Sequence, residues 1–429
     1  MSDVFNHSVN KSQGVYTIRL CSLLNRMRKL SSLADQVLVS GGNFLTIAIC
    51  AHVLPLFEQG KFTYVFASYM ALLILNVAGI FQGAAVRAPA QDSSYQTSLA
   101  RLQLLQASLL SLLVCAAWFG MGNIFGWQAT TKEAWLLFAF LLMQQLADFD
   151  RRTAYIFAST RRAIFSSAML YPARIIGLIV IRPDTLSQVL VVLIFSALIP
   201  AVLTTLTAGR SSSADAKPWI KATKEHLKYS KLFIVGAPLG WLWAYIPIFM
   251  LGTLHGKEQA ALLASIRSIS NIANVLMEQL ETKVVADWAR AQHGDGTLVM
   301  EVAVSHLLNI GMVFWLSGMA VAVVFGREIV VIVLGNLYAP HWNLLLIGWI
   351  GYGYYFNARV FGIKHRTLGA NQVEFMGNLC GVLVALAAGF VLIPALNVTG
   401  AAWVYVIIAA AMLVSQILVL KKGEWSKNE

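Results

Sequence analysis

Two arginines stand inside stretches that are otherwise apolar, and their chemistry demands an account first. Arg174 lies seven residues before Ile181, about 10 Å below the outer end of its segment at the rise of an α-helix. Arg267 lies eight residues after Gln259, about 12 Å below the outer end of its own. Guanidinium keeps its proton in any surroundings, and its planar fork matches the oxygens of a phosphate two at a time. An anionic, phosphate-bearing ligand would suit such a pair. The alternative is that each arginine pairs with a carbonyl or carboxylate between helices. Ser270, Asn271, Asn274, Glu278 and Glu281 follow Arg267, all within about 60° of it on a helical wheel. A polar stripe of that length cannot face lipid, so it lines a watery cavity or locks against a neighbouring helix. Candidate ligand contacts are therefore Arg174, Arg267, Asn271, Asn274 and Glu278. Asp35 is a weaker candidate, for holding a coupling ion. It sits near the cytoplasmic end of its segment, where water reaches a carboxylate at little cost. Asp148 and Asp150 are expected to pair with Arg151 or Arg152 at the inner face.

No catalytic pattern accompanies these residues. HExxH, GxSxG and a phosphate-cradling Gly-Lys-Ser/Thr loop are all missing from the sequence, so neither hydrolysis nor direct ATP use is indicated. Cys21, Cys50, Cys115 and Cys380 are widely spread and suggest neither a disulfide framework nor a metal site. No catalytic residue, metal ligand or cofactor is expected. Asn397-Val398-Thr399 fits a glycosylation acceptor but falls in a tight loop.

The elements that must position the arginines are membrane helices. Hydrophobic residues make up 58% of the chain and charged residues 12%, about half the share of a soluble protein. Stretches near the length that crosses a bilayer, roughly 20 residues, recur at 33–55, 64–86, 102–122, 134–150, 163–181, 186–207, 232–252, 259–284, 299–325, 342–361, 374–393 and 399–420. The short segment Glu328 to Leu334 is placed in an outer connection. With the N-terminus inside, only Lys61, Lys132, Arg182, Lys257 and Arg327 fall in outer loops. Apart from Arg174 and Arg267, the rest of the 32 Lys and Arg are cytoplasmic, as the positive-inside rule requires. The formal charge of +12 is thus orientation, with no sign of a nucleic-acid partner. Both termini are expected in the cytoplasm.

The organisation expected is a cytoplasmic arm over 1–32, a six-helix bundle over 33–208, a basic linker over 209–231, a second six-helix bundle over 232–420 and a tail over 421–429. Lys217, Lys221, Lys224, Lys228 and Lys231 occupy one arc of roughly 80° in the linker, which suits a helix lying on the anionic inner leaflet. The halves echo one another. Phe149-Asp150-Arg151-Arg152 is matched by Phe356-Asn357-Ala358-Arg359, and Gly60-Lys61 by Gly256-Lys257. Two repeats of one topology predict a central cavity and transport by rocking the bundles. Pro172 and Pro238 are candidate kinks for that motion.

The run Ala34 to Phe44, Phe62-Thr63-Tyr64, Gln144-Gln145 through Arg151-Arg152 with Arg174, and Gly400-Ala401-Ala402-Trp403 resemble the polysaccharide and O-antigen (Wzx-type) flippases of the multidrug/oligosaccharidyl-lipid/polysaccharide exporter superfamily. The resemblance covers nearly the whole chain. It implies a V-shaped bundle of six plus six helices in a bacterial inner membrane. It also implies translocation of undecaprenyl-pyrophosphate-linked oligosaccharide to the periplasmic leaflet for O-antigen, capsule or exopolysaccharide. Lipid-linked oligosaccharide and membrane lipids would be its partners, with a polysaccharide polymerase and a chain-length regulator beside them. The lipid II flippase branch, which typically carries two more C-terminal spans, fits less well. Two rivals remain. A cation-coupled multidrug exporter of the same superfamily would want acids at mid-span, where this chain has arginines. An O-antigen polymerase or ligase would want a large outer loop, and the longest here runs from Gly326 to His341.

Overall fold

The computed structural model describes residues 34–81, 84, 93–124, 130–157, 160–209, 216–273, 297–367 and 372–425, and among these the chain is all α-helix and short turns. The first half holds α1 (Ala34–Val53), α2 (Leu56–Asn76, prolonged by a π-helical turn Val77–Phe81), α3 (Ser93–Ile124), α4 (Thr131–Phe157), α5 (Thr160–Ile181) and α6 (Leu186–Gly209). The second holds α7 (Ala216–His255), α8 (Lys257–Ser270), α9 (Thr297–Leu334), a 3-10 turn (Asn336–His341) and α10 (Asn343–Thr367). It ends in a helical run, Gln372–Trp425, broken at Asn397 by φ 55° and ψ −133° into α11 and α12. The protein is an all-α membrane protein. Eight of these stretches are long and apolar enough to cross a bilayer on those grounds alone, the last of them containing both α11 and α12. Helices α4 and α10 carry more charge, and α8 is described only as far as its inner half.

Apolar side chains outside the bundles face lipid, so burial here marks helix–helix contact. Helices α3 to α6 pack mainly on one another, and α7 packs on α11 and α12, with α10 against α9, α11 and α12. The two halves meet where α2 lies along α7 and α8. That is the arrangement of two six-helix bundles expected from the hydropathy pattern.

Two expectations need correction. The basic segment is not a separate surface helix: from Ala216 it is the start of α7, which runs unbroken to His255. Forty residues span about 60 Å, twice the hydrocarbon thickness of roughly 30 Å, so the inner end of α7 projects beyond the membrane. Glu328 to Leu334 likewise extends α9 and is no independent connection. The fourth span, short at 134–150 in the sequence and expected to run on past Asp150, does continue to Phe157 and carries the Asp148–Arg152 cluster on one helix.

A reciprocal clasp joins α9 to α10. The Trp315 indole donates to the Trp349 carbonyl at 2.9 Å, and the Trp349 indole donates to the Trp315 carbonyl at 2.8 Å. Glycine makes this possible, because a methyl at Gly318 would overlap the Trp349 ring and one at Gly353 would overlap Trp315. Gly318→Leu is expected to force Trp349 out and lower stability by about 1–3 kcal/mol, the usual cost of overpacking. The measurement is the melting temperature of the detergent-solubilised protein; an unchanged value would contradict the clasp.

Candidate functional site

Helix α8 lies between the halves, packed on α2 of the first and on α7 and α10 of the second. Its start is set by a one-residue turn at Gly256, whose φ of 95° suits glycine. Lys257 then lies directly against α2, since a Cβ on Gly60 would sit 2.6 Å from the Lys257 carbonyl oxygen. The two Gly-Lys pairs that echo in sequence thus touch across the bundles. Both ammonium groups lie over one ring, Lys257 at 4.1 Å and Lys61 at 5.3 Å from the Phe57 centroid. Lys61 is held by Glu58 at 3.1 Å and Glu133 at 3.0 Å. Nearby, Tyr64 stacks on Phe249 at 5.1 Å, and His52 Nε2 lies 3.2 Å from the Ile332 carbonyl. These contacts tie α1 and α2 of the first half to α7, α8 and α9 of the second.

Arg267 stands ten residues into α8, about 15 Å along it. Its Nη1 donates to the Ala244 carbonyl at 2.7 Å and to the Tyr405 hydroxyl at 3.1 Å, with the guanidinium 4.0 Å from the Tyr405 ring centroid. Among the described residues no carboxylate neutralises it. Arg267 lines two cavities. One is the cleft between the halves, shared with Gln59 and Thr63 of α2, Tyr245 of α7 and Ser265 of α8. The other is a pocket inside the second half, walled by Trp243, Tyr352, Tyr355 and Tyr405. Asn271, an exposed residue, also borders both. Arg267 and Asn271 are therefore brought together as the polar stripe required. Asn274, Glu278 and Glu281 lie outside the described residues.

Arg174 is placed elsewhere. It is 2% exposed, inside the first bundle. There it donates to Gln144 Oε1 at 2.6 Å and Asn43 Oδ1 at 3.2 Å, and packs 5.0 Å from the Tyr171 ring. Among the described residues it shares no hydrogen-bond partner with Arg267 and lines neither of the two cavities that Arg267 borders, so the expectation of one cationic centre built from both is not what this conformation presents. Matched depth along two helices says nothing about which way each side chain faces. A desolvated guanidinium bonded only to amides, with its Nε unpartnered, still carries an uncompensated charge.

Asp35 is also deeper than its position suggested. It is 1% exposed, accepts from Arg151 at 3.0 Å and bonds the Ser167 hydroxyl. Asp148 bridges Arg151 at 2.9 Å and Arg152 at 2.6 Å, as expected. Asp150 instead pairs with Arg162 of α5, at 2.5 Å. Asp35, Arg151 and Arg152 border a cavity of about 270 Å³ with Phe81 and Tyr155. Above this cluster, Gln106, Asn76, Gln145 and Ser111 form a chain of buried hydrogen bonds 2.9–3.0 Å long.

Sequence reasoning missed the aromatic pocket and the lysine pair on Phe57. The run Gly351-Tyr352-Gly353-Tyr354-Tyr355 was the available signal for the first.

No protein-family model and no curated protein matches the chain. Solved structures do match its fold. An inward-facing multidrug resistance MATE family transporter of the MOP superfamily shares 15% identity with a TM-score of 0.64, over 93% of this chain and 94% of that one. The lipid II flippase MurJ in an inward closed conformation shares 10% with a TM-score of 0.70, over 92% and 87%. A MOP superfamily transporter from Pyrococcus furiosus shares 13% with a TM-score of 0.57, over 92% and 91%. The chain has the fold of these multi-pass transporters and flippases, none of which is an enzyme.

Proposed function

We propose that this protein is a flippase that carries undecaprenyl-pyrophosphate-linked oligosaccharide from the cytoplasmic to the periplasmic leaflet of a bacterial inner membrane, by alternating access and without hydrolysis. The observation that carries this reading is Arg267: a cation on the cleft between the halves, bonded among the described residues only to neutral groups. A pyrophosphate crossing the bilayer loses its hydration, and a fixed guanidinium replaces part of it. Asn271 beside it supplies an amide to the same ligand, and Asn274 and Glu278, outside the described residues, remain the further contacts offered by the sequence. Loading would take place from the cytoplasmic side. Rocking then separates α2 from α8 at the Gly60–Lys257 contact, letting the headgroup leave. An even number of spans puts both termini on one side of the membrane, the cytoplasmic side by the distribution of Lys and Arg, while a polymerase and a chain-length regulator would act on the released product at the periplasmic face.

The MATE likeness supports a second reading, export of cationic drugs, in which buried Asp35 would hold the coupling ion. An uncompensated arginine on the cleft repels such cargo, so it ranks second. Gene deletion separates the two. The flippase reading expects lipid-linked oligosaccharide to accumulate in the inner leaflet with loss of surface polymer. Normal polysaccharide with new sensitivity to cationic dyes would hand the function to the exporter.

A further inference from the structure

The pocket inside the second half is a separate chamber from the cleft, and its chemistry is mixed in a particular way. Trp243 comes from α7, Tyr352 and Tyr355 from α10, and Tyr405 from α12. These rings are held in place by their own partners. Trp243 donates to Asn378 Oδ1 at 3.2 Å and packs on Tyr355 at 5.6 Å between centroids. Tyr352 donates to the Ala273 carbonyl at 2.9 Å and stacks on Trp349 at 5.5 Å. Gly348 and Gly351 line the same chamber, leaving backbone where side chains would fill it. Ser270 lines it too, only 4% exposed and with its hydroxyl unpartnered among the described residues. A buried hydroxyl left unmatched is destabilising, and it is tolerated where a ligand completes it.

We propose that this chamber is the subsite for the pyranose ring attached to the diphosphate, so that Arg267 holds the phosphate at the doorway and the aromatic chamber reads the first sugar. The inference rests on the flippase reading and adds the recognition element to it. A sugar ring presents C–H faces to aromatic walls and hydroxyls to groups such as Ser270 and Asn271. A prenyl tail would leave those polar groups unmatched, and a bare phosphate would make no use of four aromatic rings. A cationic drug would suit the rings but meet Arg267 within the same wall. Position fits as well. The first sugar is covalently joined to the phosphate, so its site must begin at the phosphate ligand, and Arg267 borders both spaces.

The test uses the purified full chain in nanodiscs and two kinds of probe. One is a short-chain prenyl diphosphate. The others are the same lipid bearing glucose, galactose, N-acetylglucosamine or N-acetylgalactosamine on the diphosphate. The intact protein is expected to bind at least one sugar-bearing probe about tenfold more tightly than the bare diphosphate, the worth of one good contact set. Tyr355→Leu and Ser270→Ala should each erase most of that difference while leaving affinity for the bare diphosphate within about twofold. Arg267→Gln should weaken every probe. If no sugar improves binding, or if the Tyr355 and Ser270 variants weaken bare and sugar-bearing probes alike, the subsite is refuted while the flippase reading stands. If Arg267→Gln binds the bare diphosphate normally, the flippase site itself is refuted. Melting temperatures of the variants, matched to the parent, separate lost contacts from lost folding; Gly348→Ala, which adds a methyl against Ser270 at 2.9 Å, fills the chamber without removing any group and should give the same selective loss.

Discussion

Arg267→Ala is expected to reduce flipping about 100-fold while the protein inserts, accumulates and melts normally. The size follows from losing a charge-assisted, two-pronged contact to phosphate, worth about 1.5–3 kcal/mol in a desolvated site. Normal stability follows from the local bonding. The Ala244 carbonyl that accepts from Arg267 also accepts from the Tyr405 hydroxyl, at 2.8 Å, so removing the guanidinium leaves no orphaned acceptor. Arg267→Lys keeps the charge but loses the fork, and should restore part of the rate. The measurement is transfer of a fluorescent prenyl-diphosphate oligosaccharide in proteoliposomes, scored by chemical quenching of the outer leaflet. Full transfer by the alanine variant would remove Arg267 from the substrate path.

Arg151→Met should produce the second large effect, on stability. Arg151 lies between two acids from different helices, Asp35 of α1 and Asp148 of its own α4, with side-chain exposures of 10%, 2% and 8% respectively. Taking the guanidinium away leaves the Asp35 carboxylate buried with only Ser167 beside it. Breaking a buried pair in this manner costs about 3–5 kcal/mol. Adding Asp35→Asn to the same chain should recover most of the loss, because both members of the pair then go together. Thermal unfolding of the single and double variants makes the comparison. Equal melting temperatures for Arg151→Met and the parent would show that the bridge is idle.

Much of this architecture is legible without coordinates, and the reason is lipid. A bilayer penalises each unsatisfied backbone group and each misplaced charge, so the number of spans and the inner bias of Lys and Arg are written in local composition. The pairing of Asp148 with Arg151 and Arg152 is legible too, since residues three and four apart share a helix face. The Gly-Lys echo also survives, although nothing local says that Gly60 and Lys257 meet.

What the tertiary structure alone decided is the direction in which each helix faces. Depth is fixed by a constant rise along one helix, so Arg174 and Arg267 could be placed at similar levels from their numbers. Azimuth depends on how many side chains from several helices interlock. Packing turned Arg174 into the amide cage of Gln144 and Asn43, and Arg267 into the cleft. The same reasoning covers Asp35, which looked water-exposed from its place near a span end and is buried by Arg151 and Ser167 from α4 and α5. It covers the aromatic chamber as well, because Trp243, Tyr355 and Tyr405 are distant in sequence and only the packing of α7, α10 and α12 brings them to one pocket. A single helix carries the information for where its residues sit along the membrane normal; which neighbour they confront is a property of the whole bundle.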